Sequence, residues 1–496
     1  MTQFEPITSD QSTPVSSAKV LDTLIIGTGI SGIGTAIKLL ELGINDFLLL
    51  EKHQDLGGTW RDNTYPGCEC DVPSALYSYS FAQKHDWSKT FANQAEILEY
   101  VRTTAEDFGV IPYIRYGITV LHAKWISEYN LWQVETNHGT FFSQKLISCA
   151  GYLHEPIIPN LPGLSEFTGP VFHSSQWDHD LDLENKEVAV IGTGASAIQF
   201  IPQIQPKVKK LTIFQRTPQW ILPKQDHVHS ELEKGVFKLP LAMRGWRYLL
   251  YSALELFGRS FHHPKALDKI QQGATRHMRK VVKDPELRKK LSPDYTLGCK
   301  RVLLSNNYYP ALTQPNVELL ASGVKAIKGK YVIGQDGEKR KADVIILGTG
   351  FKVSDMPIAS VIQGEHGKTL ADIWQGSPSA YRGTTIAGFP NFFLVLGPNL
   401  GIGHNSAYIV IESQLDYITG AYRAMKKHNM KKIQIKPEVQ EEYNEKIQTA
   451  LQTTVWNTGG CQSYYIDKNG RNSIGFPWST YKMRKLLKTF DLRSYK

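Results

Sequence analysis

Two glycine loops, each set between an apolar run and a helical pattern, constrain this chain more than any other feature. Leu21–Ile26 (LDTLII) reads as a buried strand and leads into Gly27-Thr-Gly29-Ile-Ser-Gly32. The helix-forming stretch GTAIKLLELG follows and ends near Gly43, and the apolar run Phe47–Leu50 then closes on Glu51. A strand, a G-x-G-x-x-G turn, a helix and a second strand ending in an acid make the βαβ unit that grips a dinucleotide. The glycines let the backbone approach a pyrophosphate. The helix N-terminus offers free N–H donors and the positive end of its dipole.

The pattern recurs. Glu187–Ile191 (EVAVI) leads into Gly192-Thr-Gly194-Ala-Ser-Ala197, a helical stretch follows, and Leu211–Phe214 precedes Gln215-Arg216-Thr217. Glu51 lies 24 residues after Gly27, and Arg216 lies 24 residues after Gly192. Equivalent positions therefore carry opposite charge. A carboxylate suits a free ribose 2′-hydroxyl, whereas an Arg beside a Thr suits a 2′-phosphate. The first loop is expected to hold the adenosine of FAD and the second that of NADPH in preference to NADH.

Further buried-strand runs end at glycine: Lys145–Gly151 (KLISCAG) and Ala342–Gly350 (ADVIILGTG). A third, Asn391–Leu396, ends at Gly397-Pro398-Asn399 before a helical pattern from about Ser406, a turn suited to the isoalloxazine end of a flavin. The expected architecture is α/β, with two Rossmann-like dinucleotide-binding domains, each interrupted. The FAD domain is expected over 20–158 and 385–496, and the NADPH domain over 159–224 and 331–384. A helix-rich insert should span 225–330, after a disordered lead-in over 1–19.

With 496 residues, 41% hydrophobic and 21% charged, the chain can bury a large core, and general disorder is excluded. The net charge of +9 comes without a long basic block; Lys207–Lys210 and Arg288–Lys290 are short clusters. Diffuse surface charge plus a site for a polyanionic ligand accounts for it, and no nucleic-acid partner is expected. Five cysteines are few and odd in number, and Cys68 and Cys70 are C-x-C, so a reduced, cytoplasmic protein without a metal site is expected. The polar N-terminus lacks the apolar core of a signal peptide. Leu239–Gly258 is broken by Arg244, Arg247 and Glu255 and does not read as membrane-spanning. It reads first as an amphipathic core helix and, as the alternative, as a membrane-surface or substrate-entry element.

Two longer motifs carry a resemblance. The first is Phe167-x-Gly169-x-x-x-His173-x-x-x-Trp177-Asp178, and the second is Gly57-Gly58-x-Trp60 followed by Tyr65-Pro66-Gly67-x-x-x-Asp71. Together with both glycine loops they resemble the type I Baeyer–Villiger monooxygenases, over about residues 20 to 480. The resemblance implies that NADPH reduces FAD, that O₂ adds to give a C4a-peroxyflavin, and that a small apolar ketone becomes an ester or lactone. It implies that Arg301, in Gly298-Cys-Lys-Arg-Val, holds the anionic oxygen species, with Asp71 tuning its position. Lys300 would join Arg216 and Thr217 on the 2′-phosphate, and Gly58, Trp60 and Asp71 would contact a cofactor. His173 and Trp177 would couple domain movement to turnover without transferring protons. Ser463-Tyr464-Tyr465 stands where many relatives have Ser-Trp, and Tyr464 there would contact cofactor.

Oxidation of sulfur or nitrogen by a flavin monooxygenase is the alternative. A flavoprotein disulfide reductase is disfavoured, because no C-x-x-C or C-x₄-C dithiol is present. A non-enzymatic NADPH sensor would have no use for Arg301 and Asp71.

Overall fold

The computed structural model describes residues 19–496, so the lead-in lies outside the described residues except for Lys19. Two separate parallel sheets carry the two glycine loops. In the first, Val20–Ile26 is flanked by Phe47–Leu50 and Gly139–Ser148, both parallel to it. Its residues are buried along almost their whole length, as a strand covered on both faces requires. Phe392–Leu394 adds to the far end of Gly139–Ser148, and the antiparallel pair Val120–Ile126 and Leu131–Thr136 extends the sheet. The second sheet is wholly parallel, in the order Val317–Leu320, Lys210–Phe214, Glu187–Ile191, Val344–Leu347, Val171–His173.

The expected strands and the helices after each loop form close to where the apolar runs placed them. Ile30–Glu41 follows the first loop and Ala197–Ile204 the second. Each loop turns where only glycine fits. Gly27 has φ +97°, and a Cβ on Gly32 would stand 2.0 Å from the Gly27 carbonyl oxygen. Gly192 has φ +107°, and its Cβ would meet the Gly348 carbonyl oxygen at 2.3 Å.

Two domain boundaries fall earlier than expected. Val317–Leu320 belongs to the second sheet although it lies within 225–330, and Ile362–Gln363 pairs with Val120–Ile126 of the first sheet although it lies within 331–384. Short strands of two to four residues give little periodicity, so their sheet membership was invisible in sequence. The insert itself is helical: Glu231–Phe237, Pro240–Arg259, Pro264–Val281 and Pro285–Leu291.

The expectation of an amphipathic core helix over 239–258 is met on one face only, where Leu250, Tyr251, Leu254 and Phe257 pack half-buried against the core. Of the 20 residues of Pro240–Arg259, only Met243 and Gly258 are buried. The expectation that all five cysteines are reduced is not met. Cys299 and Cys461, separated by 162 residues, form a disulfide, while Cys68, Cys70 and Cys149 are free and buried. A spacing rule reads neighbours in sequence, and this pair is made only by the fold. Mass mapping of non-reduced, alkylated peptides should find the Cys299 and Cys461 peptides linked and three alkylated cysteines. Five alkylated cysteines would show the pair to be reduced.

Candidate active site

At the first loop, Gly29 and Gly58 stand back to back, and a Cβ on Gly58 would lie 3.1 Å from the Gly29 Cα. The Gly57-Gly58 turn therefore closes directly against the dinucleotide loop. Glu51 is buried at the end of its strand. It accepts hydrogen bonds from the Thr28 hydroxyl (2.6 Å), the Thr28 amide (3.1 Å) and the His53 amide (3.0 Å), and Arg61 lies 3.1 Å from it. These contacts fix the carboxylate at the mouth of the loop. Trp60, next to Arg61 in sequence, is buried and donates its indole N–H to the Tyr77 hydroxyl at 3.0 Å.

The chain from Gly58 runs on to dock against the second loop's helix. The Tyr65 hydroxyl donates to Gln199 Oε1 at 2.9 Å, and its ring meets Phe200 edge-on at 6.1 Å. The motif ends at Asp71, which takes a bidentate bond from Arg301: Nε to Oδ2 at 2.6 Å and Nη2 to Oδ1 at 2.7 Å. Burial opposes the Asp71 carboxylate, but the Arg301 charge and its hydrogen bonds outweigh it and hold the carboxyl below its ordinary range. The pair is thus complete above the ordinary carboxylate pKa and weakens only as pH falls through the lowered one. Asp71 in turn holds the guanidinium well above its usual value. Arg301 Nη1 has no protein partner among the described residues, and Tyr464 and Tyr465 stand close enough to feel its charge. Tyr152 joins them, its phenol pushed up to about 12 by burial.

Lys300 points the other way. With Arg216, Thr217, Lys289 and Lys290 it lines a cavity of about 380 Å³ whose rim includes Cys461. Burial and the nearby Arg216 charge depress the Lys300 ammonium. Cations gathered with one facing carboxylate, Asp294, leave an excess that a polyanion would neutralise. Ala197 packs at the start of the second loop's helix, while a Cβ on Gly194 would meet nothing, which leaves room for a ligand at that loop.

His173 does not sit in a free linker. It ends the edge strand of the second sheet, pairs with Leu347, and its Nδ1 accepts from the Ser175 amide at 3.1 Å. Burial pushes its imidazole below the ordinary range, so it is neutral. Trp177 packs between Phe172 and Phe200, each at 5.3 Å. The stretch therefore bridges the second sheet and its first helix.

Relatives match along nearly the whole molecule. A Baeyer–Villiger monooxygenase of Streptomyces coelicolor is 46% identical over 474 residues, 95% of this chain and 91% of the relative. A second, from Pseudomonas aeruginosa, is 45% identical over 98% of this chain and 93% of its own. The chain belongs to the Baeyer–Villiger monooxygenases. A model of the flavin-binding monooxygenase-like family also matches residues 20–231. Among solved structures, cyclohexanone monooxygenase from Rhodococcus sp. Phi1 bound to NADP⁺ superposes with TM-score 0.86 at 27% identity, over 97% of this chain and 99% of that one. A complex of OTEMO with FAD and NADP gives 0.85 at 26%, over 94% and 97%.

A Baeyer–Villiger monooxygenase has to seat two dinucleotides, and the chain fits both. The first loop offers a glycine-lined turn beside a fixed carboxylate, and the second an open turn leading to a cationic cavity. Sequence reasoning missed Lys289, because Arg288–Lys290 looks like ordinary surface charge until the helix Pro285–Leu291 turns it toward Arg216. It also missed Glu255, which pairs with His404 at 2.9 Å and accepts from Asn405 at 3.0 Å, across 150 residues of sequence. In this monooxygenase Arg216→Ala should raise KM for NADPH by about ten- to a hundredfold, as loss of a charge-assisted contact does. It should change KM for NADH little. Steady-state kinetics with both nucleotides check it, and equal effects would place Arg216 away from the phosphate.

Proposed function

We propose that this protein uses NADPH, O₂ and FAD to convert a small apolar ketone into an ester or lactone. Arg301 carries the reading: its guanidinium is fixed by Asp71 through two hydrogen bonds and keeps Nη1 free. Bound FAD, once reduced by NADPH, would supply the oxygen-derived nucleophile. The protein then has to hold negative charge twice, first on that nucleophile and next on the tetrahedral adduct with the carbonyl. A permanently charged planar group, placed before the reaction begins, stabilises both without reorganising.

The other residues divide the binding work. Gly27, Gly29, Gly32 and Glu51, with Gly58 and Trp60, take the flavin nucleotide. Gly192, Gly194 and Ala197 take the NADPH pyrophosphate, and Arg216, Thr217, Lys300 and Lys289 its 2′-phosphate. Lys300 and Arg301 are consecutive, so one short segment reports phosphate occupancy to the anion-holding group. His173 and Trp177, packed between the second sheet and its helix, couple movement of the NADPH-binding part to turnover. A fixed cation favours an anionic nucleophile, which attacks carbonyl carbon, over the neutral electrophile that sulfur or nitrogen oxidation needs. A cytoplasmic setting, where NADPH is regenerated, fits this reading.

Arg301→Ala should leave flavin reduction by NADPH measurable and lower ester formation on the order of a hundred- to a thousandfold. Hydrogen peroxide should appear in place of ester. Lys at 301 should rescue poorly, since a point charge does not reproduce the planar fork. Stopped-flow absorbance with ester and peroxide assayed on the same samples checks this; near-normal ester formation would overturn the assignment. His173→Ala should slow turnover while both cofactors still bind, and an unchanged turnover would make the stretch purely structural.

A further inference from the structure

The helix Pro240–Arg259 buries Met243 and packs Leu250, Leu254 and Phe257 against the core, yet it leaves a second apolar stripe outside. Its polar residues at one-turn spacing, Arg247, Tyr251 and Glu255, face the body of the protein. Arg247 donates to the Ala75 carbonyl and to Ser78 Oγ (2.9 Å), and the Tyr251 hydroxyl pairs with Thr480 Oγ1 at 3.0 Å. Glu255 accepts from the Thr480 amide at 3.1 Å and pairs with His404. A second set of large apolar residues points outward. Leu241 is 82% exposed, Tyr248 73%, Leu249 57% and Leu256 69%. Their spacing puts them on one stripe. The preceding helix adds Leu232 and Val236, and Leu239 at the junction is exposed too. A helix anchored by charges within and offering leucines to solvent is held for contact with something else.

Charge says what. Residues 231–283 carry eleven Lys and Arg against four Asp and Glu, an excess of seven in a chain whose net charge is +9. Glu255, one of the four, is turned inward. Lys238, Arg244 and Arg259 are exposed beside the stripe. We propose that the outer face of 232–259 docks on an anionic lipid bilayer. Its leucines would dip into the boundary between headgroups and acyl chains, and its cations would meet lipid phosphates. A second copy of the chain is a poor occupant, because two such faces would bring like charges together.

The inner side of the same helix leads to the candidate site. Phe257 meets Phe261 at 5.3 Å, Phe261 meets Trp456 at 5.9 Å, and Trp456 meets Tyr465 at 5.5 Å, beside Arg301. A membrane-dissolved ketone would thus be taken up through the docked helix; this part rests on the proposed function, whereas docking does not.

The test uses the flavin-loaded protein and sedimentation with vesicles of equimolar phosphatidylglycerol and phosphatidylcholine, or of phosphatidylcholine alone. The wild type should bind the anionic vesicles and release them at high salt. The triple variant Leu241→Ser, Leu249→Ser, Leu256→Ser should bind at least about tenfold more weakly, since each leucine loses apolar burial. Arg244→Ser with Arg259→Ser should weaken binding roughly tenfold on anionic vesicles only. Flavin content and reduction by NADPH should stay unchanged in both. Wild-type protein that ignores anionic vesicles, or leucine variants that bind as well as wild type, would overturn the proposal. So would a wild-type dimer that the leucine variants dissociate in light scattering. Binding without turnover of any ketone would leave docking in place and sink the proposed reaction instead.

Discussion

The bidentate pair between Arg301 and Asp71 is the interaction on which the rest depends. Asp71 ends the motif that starts at Gly58, against the first glycine loop, and Arg301 ends the helical insert beside the second sheet's cationic cavity. Both side chains are only partly exposed, so removing one would leave the other's charge short of a partner. Together they join two dinucleotide-binding parts through a single bidentate contact. Stability and chemistry thus draw on the same four atoms, and a change at either residue should disturb both.

Around this pair the second motif acts as a clasp. Tyr65 and the turn at Gly67 rest on the helix Ala197–Ile204, so that the flavin-side segment and the helix of the NADPH-side loop touch directly. Trp177 leans on Phe200 of that same helix, the residue that Tyr65 also meets. The helix after the second loop is therefore gripped by both sequence motifs. This explains why residues distant from any reacting atom are spaced so regularly in the chain.

Much of this was legible in the sequence because it is local. A glycine loop, its flanking strands and the residue 24 positions on lie within one βαβ unit, and their spacing follows from helix and strand length. Glu51 and Arg216 could be assigned opposite partners from counting alone. What is made by long-range packing could not be read. Lys289 joins Arg216 only after the insert folds back, and Glu255 finds His404 across 149 residues of sequence. Ile362–Gln363 is too short to declare its sheet. The helix Pro240–Arg259 shows correct amphipathic spacing, but spacing cannot say which face is turned inward, and here three polar anchors decide it.

The disulfide between Cys299 and Cys461 turns the intervening chain into a closed covalent ring. Inside that ring lie Val317–Leu320 and Val344–Leu347 of one sheet and Phe392–Leu394 of the other. Its two ends meet at the lip of the cavity lined by Arg216 and Lys300. Cutting the chain within the ring would still leave its fragments tethered at the place where the phosphate would sit.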